Sequence, residues 1–188
     1  MNYKKTRAYI FLADGFEEVE ALAPVDLLRR ADCEVITTAV GETKTITGSH
    51  NIPVVCDLAQ TELDLANLDC DMIILPGGAA GVEKLYNSPV VISAVKQCTQ
   101  RGIRIAAICA APSILGKLGL AQGVRMTCYP GWEKHLTGYI PTDCDVITDG
   151  IYTTAKGAGR SIEFALELVS SLYGREKASE VAAAIQYS

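Results

Sequence analysis

An α/β fold built on a doubly wound, mainly parallel sheet with helices on both faces is predicted by three features of this sequence. Short apolar runs alternate with segments of helical periodicity. The runs are apolar throughout, as in strands covered on both faces. Each is followed by small or turn-forming residues, where the functional loops of such sheets gather. Residues 8–13 form the first strand, and from Glu17 onward Val19, Leu22, Val25, Leu27 and Leu28 recur at helical spacing. Residues 34–40 are rich in β-branched side chains and form the second strand. Residues 43–56, with Gly48, Asn51 and Pro53 among β-formers, are expected to make a small hairpin. The third strand, 71–75, ends at Pro76-Gly77-Gly78. Helices over 80–85 and 89–100 follow, the second with Pro89 tolerated in its first turn. Residues 103–108 form a strand that runs into Cys109. Strands over 145–148 and 151–154 flank a turn at Asp149-Gly150. Gly157-Ala158-Gly159 leads into a helix carrying Ile162, Phe164, Ala165, Leu168 and Val169, and a last helix spans 176–185. With no internal repeat, low-complexity tract or long linker, one domain over residues 1–188 is expected.

Composition narrows the function. Hydrophobic residues make up 49% and charged residues 21%, ordinary for a globular chain. A net charge of −5 without any Lys/Arg cluster argues against a nucleic-acid surface. Lys4, Lys5 and Arg7 precede an apolar stretch that stops at Asp14, too short for a secretory leader, and no run approaches the roughly 20 apolar residues that cross a bilayer. A soluble, cytoplasmic protein without a membrane partner is expected. Of the seven cysteines, an odd number with no Cys-x-x-Cys, most are expected to stay reduced, with Cys33, Cys70 and Cys98 acting as small core residues. Only His50 and His135 could add imidazole ligands, and no Gly-x-Gly-x-x-Gly signature occurs, so neither a metal nor another cofactor is expected.

The segment from Ile105 to Ser113 is the likeliest seat of chemistry: a buried strand enters Cys109 and turns through small residues and Pro112 into a helix. Such an elbow holds one side chain exposed beside the positive end of a helix. A thiol there is expected to ionise below the ordinary value of about 8.5. Gly77 and Gly78, with the N–H of Ala110, can supply backbone donors to a developing oxyanion. Pro76-Gly77-Gly78 alone reads equally well as a bare strand-ending turn. Glu17, Glu18 and Glu20 crowd the first turn of the first helix, where solvated glutamates are ordinary. A glutamate folded inward beside a thiol would instead be protonated and could shuttle protons.

Taken together, Gly15-Phe16-Glu17-Glu18-Val19-Glu20, residues 24–30, Leu75-Pro76-Gly77-Gly78, residues 106–112, Gly157-Ala158-Gly159 and Glu163-Phe164-Ala165-Leu166 resemble the ThiJ/PfpI superfamily over nearly the whole chain, on the branch of the parkinsonism-associated protein deglycase. The resemblance implies a flavodoxin-like sandwich of the class I glutamine amidotransferase-like type, usually a homodimer. It implies Cys109 as the reactive cysteine, Glu20 as its protonated neighbour, and Gly77, Gly78 and Ala110 as backbone donors. It further implies cofactor-independent, glyoxalase III-like conversion of methylglyoxal-type dicarbonyls, or removal of their early glycation adducts. The alternative is an oxidative-stress sensor or chaperone acting through oxidation of Cys109 to sulfinate.

Two departures bear on mechanism. Tyr129 stands where many relatives have a histidine, and a phenol with an ordinary pKa of about 10 is a poor base at neutral pH. A Cys-His dyad, and with it a peptidase, is therefore not expected, and the role of Asp26, which in relatives partners that histidine, falls into question with it. His50 lies where a relative can carry an arginine near the dimer face. His135 is expected at a surface or helix end, and Cys128 in a packed strand unless it resolves an oxidised Cys109.

Overall fold

The computed structural model describes residues 5–187. In chain order the elements are β1 (Arg7–Leu12), α1 (Glu18–Arg30), β2 (Glu34–Ala39), a hairpin of β3 (Thr45–Thr47) and β4 (Pro53–Val55), and a short β5 (Leu58–Ala59). They continue with β6 (Met72–Leu75), α2 (Ala79–Asn87), α3 (Pro89–Arg101), β7 (Arg104–Ile108) and α4 (Pro112–Lys117). After β8 (Arg125–Met126) and β9 (Ile140–Pro141) come β10 (Val146–Asp149), β11 (Tyr152–Ala155), α5 (Ser161–Tyr173) and α6 (Arg175–Ala184).

Seven strands form the main sheet in the order β10-β11-β7-β6-β1-β2-β5, parallel throughout except for β10 at one edge. This is the doubly wound sheet that the strand–helix alternation predicts and the flavodoxin-like arrangement that the resemblance implies. Period-2 alternation divides the core between two faces. Tyr9, Phe11, Ile73, Leu75, Ile105 and Ala107 pack with α2, α3 and α4. Ala8, Ile10, Leu12, Met72, Ile74, Ala106 and Ile108 pack with α1, α5 and α6. Strands buried on both faces carry few polar positions, which explains the apolar runs of β1, β6 and β7, while β11 buries the small hydroxyls of Thr153 and Thr154. Local chemistry sets the helix ends. Ser88 Oγ accepts from Val91 N–H at 3.4 Å to open α3, and Gly102, left-handed at φ 68°, closes it.

The parallel register aligns the carboxyl ends of β1, β6, β7 and β11: Ile10 lies opposite Ile74, Leu75 opposite Ala107, and Ile108 opposite Ala155. The residues that follow these strands therefore meet at one edge although they are far apart in sequence. The hairpin over 43–56 is present as expected. The β10–β11 turn differs by one residue from the expected Asp149-Gly150. Asp149 still pairs with Tyr152, so the loop is Gly150-Ile151, with Gly150 at φ 60°. The two-residue strands β5, β8 and β9 carry too few side chains to show a period.

Candidate active site

Cys109 sits immediately after β7 with φ 64°, a left-handed conformation that costs a non-glycine residue about 1–3 kcal/mol. Neighbouring backbone enforces it. Cys109 N–H donates to Ala155 C=O at 2.9 Å, and its own C=O accepts from Tyr129 N–H at 2.8 Å. The elbow is therefore pinned by β11 and by the segment following β8.

Glu20, in the first turn of α1, is 1% exposed and lies against the cysteine. Its Oε2 accepts from Gly77 N–H at 2.9 Å, and the carboxylate also accepts from Ala158 N–H and the Cys109 thiol. Gly77 is required by this approach: a Cβ there would lie 2.3 Å from Glu20 Oε2 and 2.5 Å from Cys109 Cβ. Gly78 is required twice over, by φ 87° and by Gly15 C=O, which a Cβ would meet at 2.3 Å.

Burial is the main force that raises the Glu20 carboxyl to about 7, against the hydrogen bonds from Cys109 and Gly77, with Glu17 adding repulsion. Burial also pushes the Cys109 thiol up to about 12, helped by the Glu20 carboxylate, while N–H groups of Gly78 and Ala110 pull it down. This corrects the expectation of a readily ionised thiol. Helix α4 starts only at Pro112, with Ala111 as its cap, so Cys109 stands outside the turn where the dipole acts. The site is a thiol and a carboxyl competing for one proton.

The donor set is also redistributed. Gly78 and Ala110 direct N–H groups at the sulfur, whereas Gly77 N–H is taken by Glu20 and is not free for an oxyanion. Tyr129 is 50% exposed and its ring lies along Gly157, where a Cβ would be 3.3 Å from the ring and 3.8 Å from Glu20 Oε1. It flanks the pair, and its hydroxyl has no hydrogen-bond partner among the described residues. Asp26 takes no part: it pairs with Arg30 at 2.9 Å on the exposed side of α1. His135 lies in a short 3₁₀ turn, its ring 5.3 Å from that of Trp132. Cys128 is buried beside a separate cleft of about 470 Å³ shared with Met126 and Tyr139, and burial together with Glu133 pushes its thiol up to about 12. Cys33, Cys70 and Cys98 are buried core residues, as expected.

Glu18 overturns the solvated reading of the glutamate cluster. It is 4% exposed yet held at about 2: burial opposes its ionisation, but the His50 imidazole at 2.9 Å, its own and His50 N–H groups, and Ser49 Oγ outweigh it. Ligand atoms of Glu17, Glu18 and His50 lie within 4.8 Å of one another, and these hydrogen bonds tie them into a clamp between the hairpin loop and α1. Sequence reasoning missed this clamp, and it missed the two backbone partners Ala155 and Ala158. Backbone groups carry no sequence signature beyond the small residues that let them approach.

A doubly wound α/β sheet with a left-handed cysteine at a strand-to-helix elbow, facing a buried glutamate, defines a class of elbow-cysteine proteins. Within that class the chain belongs to the DJ-1/PfpI family, whose model matches residues 6–171. It is 32% identical over 186 residues to the glutathione-independent glyoxalase DJR-1.2 of Caenorhabditis elegans, covering 96% of each chain. It is 34% identical over 174 residues to protein DJ-1 homolog B of Arabidopsis thaliana, covering 92% of this chain and spanning 39% of that longer protein. Its structure is similar to that of Drosophila melanogaster DJ-1beta at a TM-score of 0.93 and 33% identity, covering 98% and 100% of the two chains.

Proposed function

We propose that the protein is a cysteine-dependent, cofactor-independent enzyme acting on methylglyoxal-type dicarbonyls or their early adducts. The observation that carries this reading is the Cys109–Glu20 pair, with Gly78 and Ala110 N–H groups aimed at the sulfur. The name of the Caenorhabditis elegans relative, a glutathione-independent glyoxalase, agrees with it.

A thiol held near 12 meets substrate protonated, so Glu20, as carboxylate, takes its proton while sulfur attacks the aldehyde carbon. The carbonyl oxygen then receives that proton, which completes a hemithioacetal. Glu20 next removes the hydrogen from that carbon and returns it to the adjacent one, while the hemithioacetal hydroxyl proton passes to the ketone oxygen, so that the former aldehyde becomes a thioester as the ketone becomes an alcohol. Water hydrolyses the thioester, giving a 2-hydroxy acid and restoring the thiol. Net consumption is one water, with no external oxidant or reductant. The N–H of Ala110 stabilises oxyanion charge as it develops.

Cys109→Ala is expected to abolish methylglyoxal turnover by the folded protein, and Glu20→Gln to lower it by about 10²-fold or more, within the usual range for a lost acid–base group. Turnover of wild-type rate in the cysteine variant would rule the mechanism out.

We further propose a homodimer. Val19 and Leu22 on α1 and Ile52 and Val55 on the hairpin are exposed, Val19 at 51% and Val55 at 75%. Apolar side chains concentrated on these two clamped elements form the kind of surface a second copy covers. Light scattering at a mass near that of one 20.1 kDa chain would contradict this. No helix among the described residues is long and apolar enough to cross a membrane.

A further inference from the structure

A cleft of about 550 Å³ runs along α2 from Ala79 to Asn87, closed on its other sides by Trp132, His135 and, at the end of α4, Lys117. Both rims are attached to the reactive site. Ala79 and Ala80 in its wall directly follow Gly78, whose N–H reaches the Cys109 sulfur. Trp132 N–H donates to Tyr129 C=O at 3.0 Å, and Tyr129 N–H in turn holds Cys109 C=O. The cleft has aromatic walls. Trp132 leans on the His135 ring at 5.3 Å, and opposite them stands Tyr86, with Lys117 Nζ 4.5 Å from its ring centroid. Lys117 makes no salt bridge among the described residues, so its charge faces the cleft unneutralised by a carboxylate within 4 Å. The small side chains of Ala79 and Ala80 leave the space open. Glu83 is the one acid on this wall.

We infer that this cleft is the distal half of the substrate site, taking a planar ring that bears an anionic group and is attached to the dicarbonyl. The inference rests on the dicarbonyl reading of Cys109 and extends it to a substrate class: aryl 2-oxoaldehydes carrying a carboxylate. A flat π system offers Trp132 and Tyr86 offset or edge contacts, and an anion gives Lys117, which rests on the Tyr86 ring, the carboxylate partner it does not have among the described residues. None of the cleft's lining residues belongs to the reactive pair or its backbone donors, so methylglyoxal held at Cys109 draws nothing from them.

The test compares methylglyoxal, phenylglyoxal and 4-carboxyphenylglyoxal on the wild type, Trp132→Leu and Lys117→Met. The expected result is about a tenfold loss of kcat/KM for both aryl substrates in Trp132→Leu, a comparable loss for the carboxylated substrate alone in Lys117→Met, and methylglyoxal turnover within twofold of wild type in both. Aryl turnover unchanged by Trp132→Leu, or all three substrates falling together, would overturn the inference and leave the dicarbonyl reading standing. A second readout needs no catalysis. Trp132 is the only tryptophan of the chain, so its fluorescence reports on this cleft alone. In Cys109→Ala, 4-carboxyphenylglyoxal is expected to quench it saturably, and Lys117→Met in that background to weaken the effect about tenfold. Absence of saturable quenching refutes the cleft assignment whether or not the wild type turns over methylglyoxal.

Discussion

Replacing Glu20 with glutamine should change how stability depends on pH, and the change can be sized from the structure. The carboxyl moves from an ordinary 4.5 to about 7 on folding, chiefly because burial disfavours its charge. A group raised in the folded state holds its stability below its unfolded pKa and loses it as pH climbs through the folded value. At about 1.4 kcal/mol per pH unit, ionising Glu20 costs the fold about 3 kcal/mol by pH 8. Glutamine escapes that cost but presents an NH₂ where the carboxylate accepts from both Gly77 and Ala158, which leaves one donor unpaired at about 1–3 kcal/mol at every pH. The variant should therefore be less stable than wild type at pH 5, with the gap closing or reversing by pH 8. Urea denaturation of both proteins at pH 5, 6, 7 and 8 measures this. Titration of His50, common to both proteins, cancels in the difference. Parallel stability profiles would show that Glu20 does not ionise in this window and would remove the physical basis of the site.

The same ionisation should govern catalysis: kcat/KM for methylglyoxal is expected to rise about tenfold per pH unit on the acid side and level off above about 7, as Glu20 becomes the carboxylate that accepts the thiol proton. An inflection only near 8.5 would point to a free thiolate instead. Gly77→Ala should destabilise the fold by about 1–3 kcal/mol and disable the site, since its Cβ collides with both Glu20 and Cys109. Wild-type turnover by this variant would refute the observed packing. His50→Ala should lower the melting temperature most near pH 5–6. Glu18, held at about 2, is charged there, and His50, raised chiefly by its hydrogen bond to Glu18, is protonated. An equal loss at pH 9 would show that the clamp is not ionic.

The parts of this molecule that depend on periodicity were legible in the sequence. Runs such as 72–75 and 105–108 are apolar because both faces are covered, and with the helical segments between them they give the doubly wound sheet that brings Gly77, Cys109 and Glu20 to one edge. What depends on distance was not. Whether a glutamate near a helix start points outward or inward is settled by what packs over it: Glu20 meets Gly77 and Cys109, and Glu18 meets the loop carrying His50. The ionisation of Cys109 was misjudged for the same reason, because the helix-dipole argument needs the helix to begin at the thiol and α4 begins three residues later. Asp26 matched a familial position, but its side chain lies on the opposite, solvent-facing side of α1, paired with Arg30. Trp132, Tyr86 and Lys117 come from three separate segments whose meeting no local pattern announces.

The most direct test of the paired thiol and carboxyl is to quench methylglyoxal turnover and read the intact mass of the protein together with the lactate formed. The account predicts that wild type forms lactate with little adduct, that Glu20→Gln, which lacks the base for both the thiol addition and the hydrogen transfer, forms almost no lactate and no rapid adduct on Cys109, and that Cys109→Ala gives neither. Lactate formed at wild-type rate by either variant, or an adduct on another cysteine, would contradict it.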